Sequence, residues 1–358
     1  MTASRRIRIL LIAPSLDILG GQAVQATRLM RCLSTEPELE MAFQPINPRI
    51  GFLRRIKYVR TVATFFLYFF QVMTKAPRYD ILHVFSASYW SYTLWTLPAL
   101  LFAKLYGKKI ILNYRDGQAE DHLTNWRSAL PSIRQMDRVV TPSGYLVTVF
   151  DRFGIKAQSI FNIIDMSGFI FRKRGKLRPI FLHNRILEPL YNIECTLRAF
   201  KIVQQHYPEA KLTLAHDGPS RPHLEQFAKG LELKNTTFIG RVPHNRIAEL
   251  YNESDIYLTS PNFDCMPGSL LECFASGLPV IATAAGGIPY IAEDQRTAIL
   301  IKPDDHEAMA AAALRLLNDE ALVEHLTTNA YEECKRYDVL PVQKQWLQVY
   351  RELVNQGT

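Results

Sequence analysis

The chain has 358 residues, 48% of them apolar, enough to bury more than one hydrophobic core, and its length favours two domains over one. Its five cysteines, Cys32, Cys195, Cys265, Cys273 and Cys334, show no metal-ligand or redox-pair spacing, and an odd count without a signal-peptide pattern points to a reducing, cytoplasmic compartment. The net charge of +8 is uneven: residues 1–180 carry 26 basic and 11 acidic side chains (+15), and 181–358 carry 16 and 23 (−7). No nucleic-acid-binding module accompanies the positive half, so nucleic acid is not an expected partner.

Taken in order, Arg6–Ala13 predicts a buried parallel strand, followed by a loop in which Gly20-Gly21 opens a helix through Leu33. The sequence Gly-x-Gly-x-x-Gly is absent, which argues against a dinucleotide fingerprint. Between Met41 and Arg78 there is no acidic residue, while Arg49, Arg54, Arg55, Lys57, Arg60, Lys75 and Arg78 surround the apolar run Thr61–Met73. That pattern suits a helix resting on an anionic membrane surface, and it also suits a core helix with solvated ends. Neither it nor Tyr89–Ala103 has the length and uniform apolarity of a transmembrane helix. Asp80–Phe85 and Lys109–Tyr114 predict further strands, separated by the helical pattern Tyr89–Tyr106, and such alternation implies right-handed crossovers and a parallel sheet. Ligands collect beyond the carboxyl ends of such strands, which makes His83, Ser86, Tyr114, Arg115, Asp116 and His122 candidates. Arg138–Ser143 and the helical Gly144–Phe153 close this half, and the basic stretch Phe171–Pro179 reads as a linker.

The alternation then repeats, with strands predicted over Pro179–His183, Lys211–Ala215, Thr236–Ile239, Asp255–Thr259, Val280–Thr283 and Ala298–Ile301. Between the fourth and fifth of these, the acidic loop Pro261-Asn-Phe-Asp-Cys-Met turns at Pro267-Gly268 into a helix starting near Ser269. The first amides of a helix carry a partial positive charge suited to phosphate. Asp264 on the loop and Glu272 a turn inside the helix flank that start. Without a ligand, Ser269 to Glu272 reads as a capping box and Asp264 as a turn residue. Gly277-Leu-Pro closes the helix, and Gly286-Gly287 provides a second loop able to approach closely.

This order of acidic loop, Pro-Gly, Glu-bearing helix, Gly-Leu-Pro, strand and Gly-Gly resembles the nucleotide-sugar site of the family 4 retaining glycosyltransferases, whose pattern is Glu, seven residues, Glu, then Ala-x-Gly-x-Pro-Val. Asp264 stands at the first acidic position and Glu272 at the second. The resemblance implies an α/β chain of the GT-B fold, with two Rossmann-like, doubly wound parallel-sheet domains facing across a cleft: an acceptor-side domain over 1–170, onto which a C-terminal helix at about 340–358 returns, and a nucleotide-sugar domain over 171–339. It implies donor contacts from Gly20, Gly21, Arg185, Asp217, Gly218, Met266, Pro267, Gly268, Ser269, Leu270 and Glu272. Catalytic roles fall on Asp264, Arg185 and Asp116, and Arg115 and His122 stand on the acceptor side.

Besides Asp for Glu at 264, three positions depart from the family pattern. Arg115 replaces a His after the Lys109–Tyr114 strand, Tyr191 stands where a Lys would follow Arg185, and Tyr290 ends a Gly-Gly-x-Pro-Glu motif. Arg241 is a candidate to replace the missing cation, with a solvated surface Arg as the plainer reading. The resemblance implies transfer of a sugar from a nucleotide-diphosphate sugar; the absence of an Asp-x-Asp motif predicts no metal and no further cofactor, and the basic and apolar N-terminal segments suit a lipid-linked or envelope glycan acceptor at the cytoplasmic face of a membrane. A silent nucleotide-sugar-binding protein and a nucleotide-sugar epimerase are the alternatives.

Overall fold

The computed structural model describes residues 5–17, 20–48, 57–243 and 246–355, side chains at 57–59 excepted. Arg49, Arg54, Arg55 and the Lys57 side chain lie outside the described residues. Two compact units divide the chain, one comprising Met1–Ile163 with Val339–Thr358 and the other Ile164–Asp338.

The first unit is built on a six-stranded parallel sheet. Its strands are β1 (Ile7–Ala13), β2 (Leu39–Pro45), β3 (Ile81–Ser86), β4 (Lys109–Tyr114), β5 (Arg138–Thr141) and β6 (Gln158–Ser159), in the order β2-β1-β3-β4-β5-β6. The period of two in β1 explains why the sheet is covered on both faces. Ile9, Leu11 and Ala13 enter one core with Val342, Trp346, Tyr350 and Leu353 of the helix Val339–Asn355. Leu10 and Ile12 enter the opposite core with Tyr68 and Val72 of the helix Lys57–Lys75 and with Leu100 and Phe102 of Leu97–Leu105. The terminal helix is thus a structural part of the first unit.

Residues 89–105 do not form the uniform helix that the sequence pattern predicts. A short turn at Tyr89–Ser91 passes through a π-type turn, Tyr92–Thr96, before Leu97–Leu105. Pro98 has no N–H for the carbonyl four residues back, which accounts for the loosened register before it.

The second unit holds another six-stranded parallel sheet, with β7 (Ile180–His183), β8 (Lys211–Leu214), β9 (Thr236–Phe238), β10 (Ile256–Thr259), β11 (Val280–Thr283) and β12 (Ile299–Ile301). Their order is β12-β11-β10-β7-β8-β9. Counted within the unit this is 6-5-4-1-2-3, the doubly wound arrangement, whose strand order reverses between β7 and β10. Phe181, Leu212, Ile256, Leu258 and Ile281 pack beneath Leu197, Phe200 and Val203 of the helix Ile193–His206 and Met309, Ala313 and Leu316 of His306–Asn318.

The basic stretch 171–179 is docked on this unit instead of running free. Arg174 is 4% exposed and donates to the carbonyls of Tyr251, Ser254 and Ser276. Burial and neighbouring Arg172 pull its pKa down to about 9, which leaves it charged at neutral pH. Arg172 and Arg178 both pair with buried Asp255. Charge that reads as linker in a sequence is here spent on satisfying buried acceptors.

Candidate functional site

Because ligands in doubly wound sheets lie beyond the strand ends at the point where strand order reverses, β7 and β10 place the candidate site of the second unit. Arg185 follows β7 and Asp264 follows β10, and their side chains form an ion pair. Both are nearly buried, with side chains 16% and 11% exposed. Burial works against the Arg185 charge, and the carboxylate of Asp264 outweighs it, raising the guanidinium pKa above its ordinary value. Burial also dominates at Asp264, where it raises the carboxyl pKa although Arg185 and the amides of Met266 and Cys265 pull it down. Tyr191 stacks under the guanidinium at 4.5 Å. Arg185 Nε has no hydrogen-bond partner among the described residues.

The loop around Asp264 is fixed by backbone contacts. Met266 N–H donates to Asp264 Oδ1 at 3.2 Å, and Gly287 N–H donates to the Asp264 carbonyl at 2.7 Å. Gly286 has φ +58, and a Cβ there would lie 2.4 Å from that carbonyl, so only glycine fits. The second glycine loop therefore braces the acidic loop. Asn262 N–H reaches back to the Leu190 carbonyl at 2.8 Å, tying the loops after β7 and β10 together.

The helix Gly268–Ala275 begins at Pro267, whose side chain has no acceptor and so provides no cap. The capping box that the sequence allows is not formed. The Ser269 hydroxyl accepts from Tyr257 OH at 3.0 Å, and Glu272 accepts from Tyr251 OH at 2.9 Å. Tyr251 is fully buried and takes a hydrogen bond from Asn184 at 3.0 Å, so it orients Glu272 from below. An uncapped helix start beside a cation is a site for anionic oxygen.

Asp217 and Gly218 lie on the loop after β8. Gly218 N–H donates to the Asp217 carboxylate at 2.9 Å, and a Cβ on Gly218 would lie 2.4 Å from the Leu187 carbonyl. Gly218 thus serves close packing against the Arg185 loop. Arg241, exposed on the loop after edge strand β9, is separated from β7 by β8 and does not join the Arg185 cluster. Sequence reasoning missed Asn184 and Tyr251, whose roles arise only from the packing under Glu272.

In the first unit, strand order reverses between β1 and β3. Gly20 has φ +154 and no atom within 4 Å of a built Cβ, and Gly21 opens the helix Gly21–Leu33. Arg115 bonds Asn113 at 3.2 Å and also bonds Asn162, with its guanidinium 4.9 Å over Phe85. Asp116 accepts from Ser88 N–H at 3.0 Å, from the Ser88 hydroxyl and from Gln118 N–H at 3.1 Å, which makes it a tie between loops. His122, expected on the acceptor side, is wholly buried and bonds Tyr114 OH at 2.9 Å. Burial among rings keeps it from touching a ligand directly. Burial also pushes its pKa down to about 4, although Asp116 and Asp121 oppose the shift. A cavity of about 490 Å³ opens between Leu16, Met30, Arg31 and Phe43 and contains none of the predicted site residues.

Two doubly wound parallel sheets, with an Arg, two acids and an uncapped helix at the reversal point of the second, define the GT-B class. Residues 169–333, nearly all of the second unit, match the family model described as glycosyl transferases group 1. The chain is 32% identical over 165 residues to the sulfoquinovosyl transferase of Arabidopsis thaliana, covering 45% of this chain and 31% of that protein. It is 30% identical over 186 residues to the N-acetyl-alpha-D-glucosaminyl L-malate synthase of Bacillus anthracis, covering 49% and 48%. The chain thus spans less than half the length of these curated relatives. Among solved structures, a sucrose-phosphate synthase from Thermosynechococcus elongatus superposes with TM-score 0.79 at 19% identity, covering 98% of this chain and 100% of that one. Anabaena HepE, solved with UDP and glucose, superposes with TM-score 0.75 at 16% identity, covering 96% and 99%.

Proposed function

We propose that the protein is a retaining, metal-independent glycosyltransferase of the family 4 type that uses a nucleotide-diphosphate sugar. The observation that carries this reading is the Arg185–Asp264 pair at the strand-order reversal, beside the uncapped start of Gly268–Ala275. Glu272, steadied by Tyr251, accepts hydrogen bonds from the ribose hydroxyls. The amides of Gly268 and Ser269 at the helix start and the Arg185 guanidinium take up the diphosphate charge. As the bond from the anomeric carbon to the diphosphate oxygen breaks, that charge grows, and fixed donors stabilise it most in the transition state. The acceptor hydroxyl oxygen bonds to the anomeric carbon, and its proton passes to the departing phosphate. Acceptor recognition falls to the first unit.

The acceptor in this reading is a lipid-linked or envelope glycan, met at an anionic membrane surface. Val62, Phe66 and Phe70, spaced to share one face of Lys57–Lys75, are each more than half exposed, as are Leu101 and Leu105 on Leu97–Leu105. Phe69 and Phe102 join the two helices at 4.8 Å between ring centroids. Exposed Arg60 and Arg78 flank the apolar face, and no carboxylate lies between Met41 and Arg78. An apolar stripe with a cationic rim suits the headgroup boundary of an anionic bilayer. No helix among the described residues is long and apolar enough to cross a membrane.

The test is a thermal-shift and hydrolysis screen with UDP-, GDP-, ADP- and dTDP-sugars in the presence of a chelator. Stabilisation by one of them with slow release of nucleoside diphosphate is the expected result, and no response to any of them overturns the reading. A silent nucleotide-sugar binder is the second reading, favoured by Tyr191 occupying one face of Arg185. Stabilisation without turnover in the presence of acceptor would select it.

A further inference from the structure

The loops after β3 and β4 build an aromatic surface that the donor chemistry does not use. Tyr89 sits at φ +52, a left-handed conformation that a bulky side chain adopts at a cost of about 1–3 kcal/mol unless its surroundings hold it there. They do hold it. Its hydroxyl donates to Asp121, its ring lies edge-on to His122 at 5.4 Å and to Trp126 at 5.8 Å, and the preceding Ser88 is anchored twice to Asp116. The reversal at Tyr89 leaves the next side chain, Trp90, 66% exposed, edge-on to Trp126 at 5.5 Å. Trp126 is itself fixed, because its indole N–H donates to Thr93 Oγ1 at 3.0 Å.

A rigid, exposed indole is an expensive thing to leave in water, and its chemistry selects its occupant. The carboxylates tied to this turn are Asp116, through Ser88, and Asp121, through Tyr89, whereas Glu120 is paired with Arg152. Those two carboxylates set the turn apart from the acid-free face of Lys57–Lys75. A neutral ring with one C–H face and hydroxyls at its edge satisfies both the indole and the carboxylates.

We propose that Trp90, backed by Trp126 and Tyr89, is a stacking platform for a pyranose ring of the acceptor, with Asp116 and Asp121 as hydroxyl acceptors at its edge. The platform names the acceptor class, a glycan with an exposed neutral sugar, and so rests on the glycosyltransferase reading. Its position beyond β3, next to the strand-order reversal of the first unit, is where ligands of such sheets gather.

The experiment is an intrinsic tryptophan fluorescence titration with methyl glycosides of glucose, galactose, mannose and N-acetylglucosamine and with their disaccharides, no nucleotide sugar being present. Wild type, Trp90→Ala and Trp90→Phe are compared, with circular dichroism to establish that each is folded. The expected result is saturable binding of at least one saccharide to wild type, weakened roughly tenfold or more in Trp90→Ala and partly retained in Trp90→Phe. Equal binding by wild type and Trp90→Ala overturns the proposal, and so does the absence of any saccharide response. Nucleotide-sugar hydrolysis by wild type, run in parallel, separates the two readings: hydrolysis without saccharide binding sinks the platform alone, and absence of both sinks the glycosyltransferase reading with it. Loss of binding to phosphatidylglycerol vesicles in Trp90→Ala, with no saccharide response in wild type, would assign the indole to the membrane and likewise overturn the proposal.

Discussion

Arg185 and Asp264 lie seventy-nine positions apart in the chain and meet as a nearly buried ion pair where the strand order of the second sheet reverses. Each neutralises the other in a place where neither charge would be stable alone. Asp264→Ala therefore leaves a buried guanidinium uncompensated and is expected to cost about 3–5 kcal/mol of stability in the second unit. Arg185→Met with Asp264→Leu removes both charges and should restore much of that loss while abolishing donor turnover. Urea unfolding of the single and double variants checks this, and additive losses would refute the coupling.

Glu272 carries a different expectation, because its partner Tyr251 survives its removal. Loss of a charged hydrogen-bond acceptor for the ribose should weaken nucleotide-sugar binding by about 1.5–3 kcal/mol in Glu272→Gln, or roughly 10- to 100-fold. Tyr251→Phe, which removes the support at 2.9 Å and the acceptor for Asn184 while leaving the carboxylate, should give a smaller loss in the same direction. Calorimetric titration with the nucleotide sugar that the screen identifies measures both, and a larger effect from Tyr251→Phe would reverse the assigned roles.

Two glycines give a purely steric prediction. Cβ atoms on Gly218 and Gly286 would each meet a backbone carbonyl oxygen at 2.4 Å, that of Leu187 and that of Asp264. Backbone cannot yield as a side chain can. Gly286→Ala adds the cost of a positive φ and displaces the acidic loop, so it should lower both melting temperature and donor affinity. Gly218→Ala should act mainly on the Arg185 loop. Alanine at either position with an unchanged melting temperature would show that these close approaches are not sustained.

How much of this was legible in sequence follows from where each signal originates. The strands Lys109–Tyr114 and Val280–Thr283 are apolar runs bounded by turn chemistry, and their bounds read directly. The edge strand β2 carries Glu40, Gln44 and a terminal Pro45 and gives no such run, so it was not anticipated. The two-residue β6 has too little sequence to announce itself. Asp264, Glu272 and Arg185 could be singled out because a motif marks them. Tyr251 could not, since its contact with Glu272 is made by packing between two helices and leaves no spacing signal. The basic stretch 171–179 misled for the converse reason, as composition does not reveal that Arg174 faces buried carbonyls.

Acid should destabilise the protein well before its carboxylates titrate. Burial pushes the pKa of His83 and His183 down to about 3 and that of His122 to about 4, against about 6.5 in the unfolded chain. Since the folded pKa values are the lower ones, the unfolded state binds more protons below pH 6.5, and stability falls as the pH drops from there towards 4. The slope is about 1.4 kcal/mol per pH unit for each histidine that stays neutral when folded. His122→Phe removes one titrating ring, so its melting temperature should vary less steeply between pH 6.5 and 4 even if its plateau is lower. An unchanged slope would place the acid sensitivity elsewhere.

The apolar face of Lys57–Lys75 makes the last expectation quantitative. Phe66 and Phe70 are each 54% exposed and four residues apart, so they would enter a bilayer surface side by side. Burying a phenylalanine contributes about 1.5–3 kcal/mol, and each nearby cation adds about 1 kcal/mol on an anionic surface. Replacing both rings with glutamate removes the apolar gain and brings negative charge to the same surface. Phe66→Glu with Phe70→Glu should therefore lower partitioning to phosphatidylglycerol vesicles by more than about 100-fold at low salt. Wild-type binding should itself weaken as salt rises, because its cationic part is screened within about 10 Å at 0.1 M. Hydrolysis of nucleotide sugar in solution should be unaffected, since neither ring belongs to the second unit. Cosedimentation of wild type and variant with anionic and with neutral vesicles decides the matter: equal binding by the two proteins, or none by wild type on the anionic vesicles, would remove the membrane from the proposed function.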